Sequence, residues 1–145
     1  MNTQKKSFSL IEILVFVTIL SLFFVAAASV TISSLRNLKT QENKILAIRY
    51  AQELLEWLRG EKESDWNLFT NKTGTYCFNS SPINRWGSFG NCSTYSLNNL
   101  YKREVSINSY GNPPYQVNIS INVSWQEFGQ IYQIPLNSVF TVWEE

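Results

Sequence analysis

The chain has 145 residues, 44% of them hydrophobic, with 12 basic and 11 acidic side chains and a formal charge of +1. A balance so close to neutral excludes nucleic-acid binding driven by bulk charge. The absence of histidine removes the commonest general base and the commonest metal ligand.

The first element lies within "KKSFSLIEILVFVTIL", residues 5 to 20, where Glu12 interrupts an apolar run. From Ile13 to Leu35 there follow 23 uncharged residues in succession, and about 20 suffice to cross a bilayer. The run exceeds the roughly 7 to 15 residues of a secretory-signal core, so a spanning helix is expected over an ordinary signal peptide. Lys5 and Lys6 precede it and Arg36, Lys39 and Lys44 follow it, so positive charge alone does not orient it. A carboxylate near mid-membrane costs about 2.5 kcal/mol or more, and less near the interface. Glu12 is therefore either an interfacial side chain reaching for water or a carboxylate meant to meet a cation outside the lipid.

No Gly or Pro occurs before Gly60, so the helix is predicted to continue from about residue 8 to 59. At 1.5 Å per residue that is roughly 78 Å. Beyond the apolar run, Leu35, Leu38, Ile45, Ile48, Ala51, Leu55 and Leu58 recur at helical spacing and predict a buried stripe. Gly60 is the expected C-cap, with Arg59 suited to the last turn.

At the front of the chain, "KKS" followed by "FSLIEILVFVTIL" resembles the processing site of type IV prepilins and type II secretion pseudopilins. That pattern is a short basic leader, a small residue, Phe, a polar residue, Leu, Ile, Glu and an apolar helix. The family usually has Gly before the cut, where this chain has Ser7, which is also small. The resemblance implies cleavage between Ser7 and Phe8 by a membrane-embedded prepilin peptidase and N-methylation of Phe8. It further implies assembly through the N-terminal helix with other pilin or pseudopilin subunits on an inner-membrane platform, with Glu12 as the assembly carboxylate. "AIRYAQELLEWLRGEKESDW" is similar to the second helix half of some minor pilins and pseudopilins, and "VNISINVSWQEFGQIYQIPLNSVFTVW" to their terminal hairpin. The implied division is a leader at 1–7, a transmembrane and filament-core half at 8–35, an amphipathic half at 36–60 and a small C-terminal domain at 61–145. The implied location is a single-pass inner (cytoplasmic) membrane protein, its C-terminal domain outside the cytoplasm, and then a periplasmic or extracellular filament.

In that domain Val117, Ile119, Ile121, Val123 and Trp125 alternate with Asn118, Ser120, Asn122 and Ser124, the pattern of a half-buried strand. "QEFGQ" supplies a turn. Ile131 to Trp143 reads as the returning strand, with Pro135 marking a kink, a bulge or a free edge. Leu100 to Asn108 is an earlier strand. The expected fold is α+β: a long helix with a small antiparallel sheet packed on its second half, as in type IV pilins. Residues 61 to 99 read as a long connection, pinned by Cys77, Cys92 and the aromatics Trp66, Phe69, Tyr76 and Trp86. An even pair of cysteines beyond an apolar segment favours a disulfide in an oxidising compartment; two buried free thiols are the alternative. A loop of about 15 residues would contribute roughly 3 kcal/mol.

Nothing in the chain marks an enzyme: no His can serve a triad and no Gly-rich phosphate loop is present. Neither a cofactor nor a metal is expected, and Glu61, Glu63 and Asp65 lack EF-hand spacing. The function expected is a structural filament subunit, a minor pilin or pseudopilin, with lipid as its first environment. The other readings are a DNA-uptake or adhesion module, for which the adjacent Lys102 and Arg103 offer thin support for phosphate contacts, and an unrelated signal-anchored membrane protein.

Overall fold

The computed structural model describes residues 9–142, which divide into two units between Gln41 and Glu42. One continuous helix, α1 (Leu10–Ser64), supplies all of the first unit's regular structure and the start of the second. Its first bonds close on the Ser9 carbonyl, from Glu12 N at 3.0 Å and Ile13 N at 3.3 Å.

In the second unit α1 is followed by α2 (Trp66–Thr70), β1 (Gly74–Cys77), β2 (Ser88–Phe89), β3 (Tyr101–Gly111), β4 (Pro114–Glu127) and β5 (Gln130–Thr141). The strands form one antiparallel sheet in the order β2-β1-β3-β4-β5. The three expected strands are its centre and one edge. Pro135 sits in the edge strand β5 opposite Asn122, where its missing N–H disrupts no ladder. The stretch 61–99, expected as coil, holds α2, β1 and β2 instead. These segments are too short to show a period, and the sheet rather than propensity secures them.

Two details of α1 correct the expectation. It does not stop at Gly60, which is exposed within it, but runs on to Ser64. The core face continues one more turn to Lys62, whose ammonium lies 5.5 Å from the Phe140 ring centre. Asp65 then takes an extended backbone and caps α2, accepting from Leu68 N at 2.9 Å. The buried face of α1 keeps only part of the expected stripe, Ala51 and Leu58, with Leu55 partly buried beside them. It is Asn43, Ala47, Ala51, Leu54, Leu58 and Lys62, while Leu35, Leu38, Ile45 and Ile48 stay exposed. Small side chains at Ala47 and Ala51 let the sheet's bulky inner face approach, and Tyr101 and Trp125 fill the space instead. A count of large apolar residues misses the Asn43 and Ala47 positions of this face.

That asparagine receives the Tyr101 hydroxyl, which donates to Asn43 O at 3.2 Å and Oδ1 at 3.3 Å. Burial, and then the charges of Tyr50, Glu127 and Glu42, push the Tyr101 pKa up to about 12. The folded chain thus holds this proton more tightly than the unfolded one. Its contribution is complete below pH about 10 and lost as pH rises through about 12. Tyr101→Phe should cost about 1 kcal/mol at neutral pH. It should also flatten the alkaline loss, so that its urea midpoint converges on the parent's between pH 9 and 11.5. A constant gap across that range would remove Tyr101 as the titrating group.

Candidate functional site

The first unit carries the feature with the clearest chemical demand. Within α1, Leu10, Ile11, Ile13, Leu14, Phe16 and Ile19 are each more than half exposed, as are Val25, Val30 and Ile32. The apolar window has a mean hydropathy of 2.7 and none of it is buried. By length and composition it is sufficient to cross a membrane, and it is the one such helix among the described residues. Its hydroxyls are suited to lipid as well. Thr18 donates to Val15 O at 2.8 Å, Ser21 to Thr18 O at 2.8 Å, Ser29 to Ala26 O at 2.8 Å and Thr31 to Ala27 O at 2.9 Å. Each proton is satisfied inside the helix, as a medium without water requires.

Glu12 stands exposed in the first turn of this helix, where a negative charge opposes the free N–H groups favourably. Ser7 and Phe8 lie outside the described residues.

The second unit holds a polar network that reading the sequence missed. Arg103 has a side chain with no exposed surface. Its Nε donates to Phe78 O at 2.9 Å and its Nη2 to Ser80 O at 2.6 Å. Its Nη1 donates to Tyr50 O at 2.7 Å and to Glu53 Oε2 at 2.9 Å. Glu53 also accepts from Ser81 Oγ at 3.0 Å. Burial lowers the Arg103 pKa and outweighs the opposing hydrogen bond and charge of Glu53. Asn79 adds a second clasp, its Oδ1 accepting from Arg103 N at 3.0 Å and its Nδ2 donating to Thr94 O at 2.9 Å. Arg103 is therefore a structural pin, and Lys102–Arg103 is not a basic pair on the surface. The signal available in the sequence was its place in β3, where alternation with Tyr101 and Val105 turns it inward.

Cys77 and Cys92 are joined by a disulfide with a Cα–Cα distance of 5.0 Å, across a separation of 15 residues. Within that loop Gly87 lies against the Cys77 carbonyl so closely that a Cβ would overlap it. The expected aromatic pins are in place. Trp86 packs on Phe69 and Tyr76, and Trp66 Nε1 donates to Pro114 O at 3.1 Å. Two of the acidic trio are committed locally: Glu61 accepts from Trp86 Nε1 at 2.9 Å and Asp65 caps α2, while Glu63 is exposed. Among the described residues no cluster of His, Cys, Asp and Glu is arranged to hold a metal. Cys77→Ser should lower the unfolding free energy by roughly 3 kcal/mol, measured by urea titration of the detergent-held chain without reductant. An unchanged midpoint would show that the aromatic cluster alone holds the loop.

Together these features define an α+β chain of pilin-like layout: one long apolar N-terminal helix, then an antiparallel, disulfide-bonded sheet domain packed on that helix's second half. Compared with protein-family models, curated proteins and solved structures, the chain matches none.

Proposed function

We propose that this chain is a structural subunit, a minor pilin or pseudopilin, of a type IV pilus or a type II secretion-like filament. It enters the membrane as a prepilin, is cut after Ser7 and assembles through α1. The observation that carries this reading is the junction "SFSLIEIL" at the head of an apolar helix none of whose spanning window is buried. In that role Glu12 tolerates the lipid interface before assembly and meets an amine afterwards. The exposed Ile45, at 59%, and Ile48, at 37%, support it too, since the sheet leaves them over for another apolar partner. Burial of Arg103 weakens the DNA-uptake reading, which drew on that residue for phosphate contacts.

The test is mass spectrometry of the mature N-terminus from the native membrane. A methylated Phe8 is expected. An intact Met1, or a cut after the alanines near residue 28, would sink the proposal in favour of an ordinary anchor or signal.

A further inference from the structure

The two ends of the second unit differ. At one, Lys62 reaches the Phe140 ring and Trp66 reaches Pro114. At the other, Tyr101 meets Asn43, the first buried residue of α1. Tyr101 also pairs in register with Trp125, their ring centres 5.9 Å apart. The β4–β5 hairpin therefore turns at the end where α1 enters the unit. Its tip is the two-residue loop of Phe128 and Gly129, closed by Glu127 opposite Gln130.

That tip is built against local preference. Phe128 and Gly129 have φ of 50° and 77°, the two left-handed positions of a type I′ turn. Glycine takes the second without steric cost. The first suits Asn or Asp, and a bulky aromatic is seldom found there. Core burial does not offset the strain, because Phe128 is 64% exposed. Ile131, the second residue of the return strand, is 67% exposed.

We propose that the hairpin tip rests in the lipid surface, with Phe128 and Ile131 at the boundary between headgroups and acyl chains. Leu35 ends the uncharged run and Asn43 follows eight residues later, roughly 12 Å of helix. Phe128 lies three residues past Trp125, roughly 10 Å of strand. The reach of the tip is thus of the same size as the gap it must cross. Two apolar side chains are too few for the desolvated core of a protein interface. They suffice for lipid, which moulds to any shape and which α1 holds near at high effective concentration. The inference rests on α1 crossing the membrane, as the proposed function requires, and needs no filament.

The test reconstitutes the full chain in phosphatidylcholine vesicles, with and without bromine on the acyl chains close to the headgroup. Three variants each add one tryptophan: Phe128→Trp, Phe23→Trp within the spanning run, and Tyr115→Trp at the far end of the sheet, where the side chain is 63% exposed. All three sites are exposed, and circular dichroism checks that the variants fold. Bromine should quench most of the emission added at Phe128 and at Phe23, and leave that added at Tyr115. Quenching at Phe23 without quenching at Phe128 would overturn this inference alone. No quenching at Phe23 would overturn the membrane-spanning reading and this inference with it. Equal quenching at Phe128 and Tyr115 would remove the hairpin tip as the preferred contact. A Phe128→Trp emission that ignores bromine but shifts to the blue with protein density would mean a second copy, not lipid, and overturn the proposal too.

Discussion

Replacing Arg103 with Leu is expected to cost the outer domain about 3–5 kcal/mol, a large share of the 5–15 kcal/mol typical of a folded domain. Burial of the side chain's apolar stem is not the issue, since Leu keeps much of it. The loss comes from the four groups that the guanidinium now satisfies. Glu53 loses its buried counter-charge, and the carbonyls of Phe78, Tyr50 and Ser80 lose their donors. A buried acceptor without a partner costs about 1–3 kcal/mol. Arg103→Lys keeps the charge but offers one ammonium in place of a planar fork, so it should recover only part of the loss. Urea titration of the detergent-held chain decides the matter. A change below about 1 kcal/mol for Arg103→Leu would mean that the loop from Phe78 to Ser81 is held by its neighbours and not by the pin.

The second large effect falls on assembly. Glu12→Ala should leave membrane insertion intact, and even ease it, because a carboxylate is removed from the lipid boundary. Incorporation into a filament should fall on the order of tenfold or more, the equivalent of about 1.4 kcal/mol. The reason lies in the proposed cut. The proposed cleavage after Ser7 would leave an amine on Phe8, four positions before Glu12 in the sequence. In the proposed assembly that carboxylate is matched by the amine of a neighbouring subunit. At low dielectric such a pair is worth far more than in water. Glu12→Gln, which keeps the size and loses the charge, should behave like Glu12→Ala. Normal incorporation of both variants would remove the electrostatic role and leave Glu12 an interfacial residue of no special use.

Legibility along the chain followed the length over which a pattern repeats. The spanning run needs no partner to be recognised, because its apolar character is continuous over 23 residues. The strand from Val117 to Trp125 announced itself by strict alternation, and its return by the turn at Gly129. Short elements failed for the converse reason. A strand of four residues such as β1, or of two such as β2, has no room for a period. Pairing along the order β2-β1-β3, the disulfide at Cys77 and the packing of Tyr76 on Trp86 and Phe89 hold them in place. The helix face was legible only in part, at Ala51, Leu55 and Leu58. Hydrophobicity ranks Ile45 and Ile48 above Ala47 and Asn43, but proximity to Tyr101 ranks them the other way.

Local pattern and simple counting were enough for the α+β class and for the apolar helix with Glu12 at its head, and they favoured a bond between the two cysteines, which the fold then joins. Tertiary structure alone decided that Arg103 is a buried pin and not half of a basic patch. It also turned Asn43 inward to meet the Tyr101 hydroxyl. Those outcomes depend on which residues meet across 23 to 58 positions of sequence, and the cost of burying a polar group is settled by the partner it finds there.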